Sequence, residues 1–148
     1  CHELIELAKA RSRNKLLVST SLIAREAPPP AILAAADFLL PHGNGIYGPD
    51  GPMQPSPHGI RLQVKNWRAG SGYRGQPIVY NEDDHFEFDK PDNHFVAAVE
   101  SGASWGFFDY RRIRERFEDG FQSLPVDWTI SSTRKRGFFG LLKEITGS

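Results

Sequence analysis

Acidic and polar side chains follow an apolar segment in the middle of the chain. Glu82 comes directly after the segment 76–81, QPIVYN, which predicts a strand. A carboxylate at the end of a strand can act as nucleophile, general base or general acid, so Glu82 is the first catalytic candidate. Its neighbours supply Asp83 and Asp84 as further catalytic candidates, and Asn81 and His85 as substrate-binding candidates. The alternative interpretation is a solvated loop whose acids cap a helix.

Four further substrate-binding candidates follow or lie within other apolar segments. His42 and Asn44 belong to the motif HGNG after ADFLLP, Trp105 lies within ASWGFF, and Asp109 follows that segment. The flat apolar ring of a tryptophan suits the C–H face of a pyranose, which makes Trp105 a candidate sugar platform. The alternatives are a loop histidine bonded to a backbone carbonyl for His42, and core packing for Trp105.

Nucleotide and metal sites have weaker support in the sequence. The phosphate-loop spacing GxxxxGK[ST] is absent, and no GxGxxG follows the first predicted strand. Carboxylates suit Ca²⁺ or Mg²⁺, but the acidic run at 82–92 lacks the EF-hand spacing, so we expect a solvated loop without a metal or cofactor. A third class of function, a metal-dependent hydrolase, would use Asp83, Asp84, His85 and His42.

The hydrophobic pattern predicts that helices and strands alternate. Strands are predicted at 15–20, 37–40, 76–81 and 103–108. Helices are predicted over 2–11, after the prolines 28–30, after Ser56 and Pro57, after Asp92 as N-cap, and after Ser131 or Ser132 as N-cap. Apolar strands alternating with helices are typical of a parallel sheet with helical cover. We therefore predict one α/β domain over 1–148, a parallel four-stranded half-barrel in the order α-β-α-β-α-β-α-β-α.

Composition limits the class of protein further. The chain has 148 residues with 18 basic and 18 acidic side chains, so its formal net charge is zero. That balance argues against a nucleic-acid binder, which needs a basic excess. A single cysteine cannot form an internal disulfide, and no apolar run approaches the ~20 residues of a membrane span. We expect no membrane partner, no signal peptide, and a soluble protein with a preference for the cytoplasm.

Residues 77–111 and 120–147 resemble the C-terminal part of glycoside-hydrolase-like (β/α)8 barrel proteins, which are mostly uncharacterised bacterial proteins. ADFLLPHGNG and KLLVSTS look like the sixth and fifth strands of that barrel. The resemblance implies that the four strands are the fifth to eighth, that Glu82 is the nucleophile, that Trp105 floors the sugar site and that His42 lines it. The acid/base carboxylate of the family ends the fourth strand, which this sequence does not contain.

Two functions follow from these expectations. In the first, the chain binds or hydrolyses carbohydrate with Glu82 as carboxylate catalyst, and Asp83, Asp84 or Asp109 is the second carboxylate that glycoside hydrolysis needs. In the second, the chain is a non-catalytic barrel fragment that associates with itself. Because a half-barrel exposes parallel strand edges, which invite pairing, we predict a homodimer through those edges.

Overall fold

The computed structural model describes residues 1–22, 27–43, 56–83, 87–108, 130 and 133–147. Five helices and four strands are found within these ranges. They are α1 (His2–Ser12), β1 (Ser21–Leu22), α2 (Pro30–Ala35), β2 (Leu40–Pro41), α3 (Pro57–Arg68), β3 (Val79–Asp83), α4 (His94–Glu100), β4 (Ser104–Phe107) and α5 (Thr133–Thr146). Helices therefore alternate with strands along the described chain.

The predicted parallel four-stranded half-barrel is wrong. The described strands form two separate two-stranded parallel sheets, β1 with β2 and β3 with β4. The protein is a small α/β protein, and the correction removes the expected correspondence of its strands to the fifth to eighth strands of one barrel.

A proline explains why the two sheets do not merge. An isolated bridge joins Leu39 to Ile78, with 2.8 Å hydrogen bonds from Leu39 N to Pro77 O and from Val79 N to Leu39 O. Backbone groups alternate in direction along a strand, so Pro41 is the next residue of β2 that faces β3. Proline has no N–H to donate, and the ladder stops after one bridge.

The first predicted strand is also misplaced. Residues 15–20 precede β1, and Leu16 and Leu17 are 66% and 80% exposed rather than buried. The Asp37 side chain accepts the Val18 N–H at 2.9 Å, and the Asp37 N–H bonds to Val18 O at 2.9 Å. The Val18 N–H, which would donate to a neighbouring strand in a sheet, is thus bonded to the Asp37 side chain instead.

Local signals identified the start of α3 correctly. The Ser56 side chain accepts the Gly59 N–H, and Pro57 occupies the first helical position, as predicted. The predicted apolar stripe of Ile60, Val64 and Trp67 is buried. This helix therefore packs with the stripe that its i, i+4, i+7 spacing indicates.

The N-cap of α4 is one residue later than predicted. Asn93 Oδ1 accepts the Val96 N–H at 3.0 Å, whereas Asp92 forms an ion pair with Arg61 at 2.8 Å. The predicted caps Ser131 and Ser132 of the last helix lie outside the described residues. None of the described helices is long and apolar enough to cross a membrane.

Candidate functional site

A β-bulge in β3 separates the two catalytic candidates Glu82 and Asp83. Tyr80 pairs with Trp105 and Asp83 pairs with Phe107, so β3 takes three steps where β4 takes two. The extra residue places Tyr80 and Asp83 on the same buried face, although an odd spacing would otherwise put them on opposite faces. Glu82 is left with a side chain that is 41% exposed.

The Asp83 carboxylate is completely buried and accepts hydrogen bonds from two rings. Trp105 Nε1 donates to Asp83 Oδ2 at 2.8 Å, and His94 Nδ1 lies 2.8 Å from the same oxygen. The His94 side chain is 4% exposed. Burial of a carboxylate is costly unless it is hydrogen-bonded or paired, so these contacts are what allow Asp83 to occupy the core.

The backbone of Gly43 packs against the side chain of Asp83. A Cβ atom added at Gly43 would lie 2.5 Å from Asp83 Cβ, and closer still to Asp83 Cγ and Oδ2. The loop after β2 therefore packs its backbone directly on the carboxylate of β3. Only a residue without a side chain leaves room for this approach.

Tyr80 occupies the same buried face of β3. Its hydroxyl donates to Gln63 Oε1 on α3. Burial raises the pKa of the Tyr80 hydroxyl, and the negative charge of Asp83 raises that pKa further. Tyr80 is thus a neutral hydrogen-bond donor that connects β3 to α3, rather than an acid or base at ordinary pH.

Three side chains, two from strands and one directly after a strand, meet at the solvent-facing side of this region. His42 Nε2 is in hydrogen-bond contact with Ser21 Oγ, and His42 Nδ1 lies 3.4 Å from Glu82 Oε2. Ser21 begins β1, His42 directly follows β2, and Glu82 lies in β3. We call Ser21, His42 and Glu82 the surface relay. A hydroxyl, an imidazole and a carboxylate in this order can hold and transfer a proton.

Trp105 lies in an aromatic cluster rather than on an open surface. It is 9% exposed, and its ring stacks on Phe95 and Phe107 at centroid distances of 5.3 and 5.9 Å. Phe88 packs edge-on at 5.9 Å. Its ring faces are thus covered by other aromatic rings, and its described polar contact is the N–H bond to Asp83. The alternative of core packing describes Trp105 better than a sugar platform.

The structure brings some sequence-predicted site residues together and does not describe others. His42 meets Glu82, and Trp105 meets Asp83. The Oδ1 atom of Asn81 is buried without a hydrogen-bond partner among the described residues. The predicted site residues Asn44, Asp84, His85 and Asp109 lie outside the described residues. Their roles stay predictions.

Sequence reasoning did not assign Ser21, Gly43 or His94 to the site. Ser21 was one of three hydroxyl residues at positions 19–21, and no motif distinguishes it from the other two. His94 is the first residue of α4, which turns its ring toward Asp83. Within the described ranges, no group of three or more His, Cys, Asp or Glu side chains is arranged to hold a metal ion.

The comparisons with known proteins found no match: no family model, no curated protein and no solved structure.

Proposed function

We propose that this protein acts on carbohydrate as a glycoside hydrolase, with the Glu82 carboxylate as a catalytic group. The observation that carries the proposal is the position of Glu82 at the carboxyl end of β3, where the bulge leaves its side chain 41% exposed. Ligand sites of parallel α/β proteins lie at that end of the strands.

His42 supports this role by lying beside one oxygen of Glu82. His42 Nδ1 lies 3.4 Å from Oε2, on one side of the carboxylate. The other oxygen, Oε1, is then the one that meets an anomeric carbon or a glycosidic oxygen. A held carboxylate reacts in a defined geometry, which is how positioning lowers a reaction barrier.

Glycoside hydrolysis needs a second carboxylate, about 5–5.5 Å away for retention of configuration or about 6.5–9.5 Å for inversion. Asp83 is poorly suited, because Oδ2 already accepts two hydrogen bonds and the side chain is buried. We therefore assign the second role to Asp84 or Asp109, which lie outside the described residues. Variants of both belong in the same assay.

The test is hydrolysis of a panel of nitrophenyl glycosides by the wild type and by Glu82→Gln. We expect Glu82→Gln to lower the rate at least about 100-fold, since a positioned acid, base or nucleophile contributes at least that factor. The matched control is Glu87→Gln, which removes an exposed carboxylate whose partner is Lys90. Equal rates for the wild type and Glu82→Gln would remove Glu82 from the mechanism.

Exposed leucines favour a second candidate function, non-catalytic association between two copies of the chain. Leu4, Leu7, Leu16 and Leu17 are 68%, 51%, 66% and 80% exposed. Leu16 and Leu17 precede β1, which pairs on one side alone among the described strands. Large exposed apolar side chains beside a strand edge are typical of association sites.

Light scattering after size-exclusion chromatography tests this candidate. We expect a dimer for the wild type and a monomer for the double variant Leu16→Ser, Leu17→Ser. A wild type that stays monomeric at micromolar concentration would contradict self-association, and would leave the carbohydrate proposal unaffected.

A further inference from the structure

The surface relay has the atom order of a serine nucleophile with its base and its orienting acid. In such triads the serine hydroxyl meets Nε2 of the histidine, and the acid meets Nδ1. Here Ser21 Oγ contacts His42 Nε2, and Glu82 Oε2 lies 3.4 Å from His42 Nδ1. Each nitrogen of the imidazole thus lies next to the residue type that the chemistry requires, with a hydrogen-bond contact at Nε2 and a 3.4 Å approach at Nδ1.

Ser21 and Glu82 lie in different strands, and His42 directly follows a third. His42 N donates to Leu22 O at 3.0 Å, which holds the backbone of His42 beside Leu22, the residue after Ser21. The Leu39–Ile78 bridge connects β2 to the strand that carries Glu82. Sites on strands keep their geometry better than sites on loops, so the relay is preorganised by the backbone.

The nucleophile end of the relay is open to solvent. Ser21 is an exposed residue, and the side chains of His42 and Glu82 are 22% and 41% exposed. A hydroxyl that served packing would be enclosed, as the Tyr80 hydroxyl is. An accessible hydroxyl on a histidine that a carboxylate orients is the arrangement that activates serine.

We propose that Ser21 is the nucleophile of an acyl-transfer reaction on carboxylic esters. Ser21 Oγ attacks the ester carbonyl carbon while its proton passes to His42 Nε2. The tetrahedral intermediate collapses, the C–O bond to the alcohol breaks, and the proton on Nε2 goes to the leaving alkoxide. Water then attacks the acyl-serine, gives its proton to Nε2, and releases the carboxylic acid as that proton returns to Ser21 Oγ. Glu82 stabilises the imidazolium in both halves.

This activity goes beyond the proposed glycosidase, because the reacting atom is Ser21 Oγ and not an oxygen of Glu82. A Ser21 variant therefore tests acyl transfer, whereas the glycoside assay tests Glu82. The two proposals are separated by a variant that loses glycoside hydrolysis and keeps ester hydrolysis, or by one that loses ester hydrolysis and keeps glycoside hydrolysis.

Ser104 provides a matched control within the same chain. It occupies the serine position of the spacing GxSxG at 102–106. A nucleophile elbow needs a turn from a strand into a helix, whereas Ser104 is an exposed residue that begins β4. Its hydroxyl should therefore be unreactive.

The experiment combines labelling with kinetics. The wild type, Ser21→Ala, His42→Ala and Ser104→Ala are treated with a fluorophosphonate, the modified peptide is identified by mass spectrometry, and hydrolysis of p-nitrophenyl acetate and butyrate is followed. We expect the label on Ser21, a loss of about 1,000-fold or more in kcat/KM for the first two variants, and wild-type behaviour for Ser104→Ala.

Far-UV circular dichroism checks that Ser21→Ala is folded, and labelling of the wild type needs no variant at all. Absence of the label from Ser21 in the folded wild type would overturn the proposal, and so would ester hydrolysis that survives in Ser21→Ala. Either result would leave the relay with the sole role of holding Glu82.

Discussion

Gly43→Ala is the sharpest test of how the loop after β2 packs on β3. The new Cβ would lie 2.5 Å from Asp83 Cβ and closer to two other Asp83 side-chain atoms. Asp83 cannot turn away freely, because its Oδ2 accepts bonds from Trp105 and His94 in the core. The clash therefore moves either the backbone or a buried carboxylate.

The expected loss follows from these two responses. Overpacking of a core costs about 1–3 kcal/mol. Hydrogen bonds lost from a buried polar group cost about 1–3 kcal/mol more. We expect Gly43→Ala to lower the free energy of unfolding by about 2–6 kcal/mol, a large part of the ~5–15 kcal/mol that stabilises a domain.

Urea unfolding followed by far-UV circular dichroism measures this loss, with Gly140→Ala as the control. Gly140 is exposed within α5, and a Cβ there meets no atom within 4 Å. Alanine in a helix interior is more stable than glycine by about 0.5–1 kcal/mol, so this control should be stabilised. A Gly43→Ala variant within about 0.5 kcal/mol of the wild type would refute the close approach to Asp83.

Three further changes test neighbouring contacts. Trp105→Phe removes the N–H donor to Asp83 and some ring volume, so urea unfolding should show a loss of about 2–4 kcal/mol; no loss would contradict the buried bond. Tyr80→Phe removes a hydroxyl bond and should cost about 1 kcal/mol by the same assay. The hydrogen bond from Lys9 lowers the pKa of Asp37 below its ordinary 3.8. The ionised Asp37 carboxylate therefore stabilises the folded protein above pH 3.8, and this stabilisation is lost as the pH falls through the lowered pKa. Asp37→Asn should therefore weaken the fall of the free energy of unfolding at acidic pH. An unchanged fall would contradict the ion pair between Lys9 and Asp37.

Local structure was the part of the fold that the sequence could predict. The start of α3 depends on the cap Ser56 and on Pro57, and its buried stripe depends on a spacing within one helix. These are interactions between residues a few positions apart, which a sequence displays directly. The predicted N-cap of α4 is wrong by one residue, because Asp92 and Asn93 are both good N-cap residues. Asp92 instead pairs with Arg61, which lies 31 positions away in the sequence.

Sheet pairing was the part that the sequence could not predict. Apolar segments predict strands but not their partners, because pairing joins residues far apart in the chain. Leu16 and Leu17 show the difficulty, since their apolar run predicts a buried strand whereas both side chains are exposed. Pro41 was visible in the sequence, but its effect appears only when the register shows which neighbour it faces.

The candidate site also has features that the local sequence predicts and features that depend on strand pairing. Glu82 was predicted from its position after a strand, and it does lie at the carboxyl end of β3. The bulge that separates Glu82 from Asp83 depends on the register between β3 and β4. The contact of Ser21 with His42 depends on the pairing of β1 with β2, so no local sequence pattern predicts this contact.

The Leu39–Ile78 bridge connects the two parts of the surface relay through the backbone. Ser21 and His42 belong to the first sheet and Glu82 to the second, and this bridge is the backbone connection between them in the described part of the chain. Two amides, those of Leu39 and Val79, are hydrogen-bonded in it. Their exchange with deuterium therefore reports the local opening that would separate the carboxylate from the imidazole. Slow exchange would mean a permanently formed relay, and fast exchange a relay that forms in a fraction of molecules at any moment.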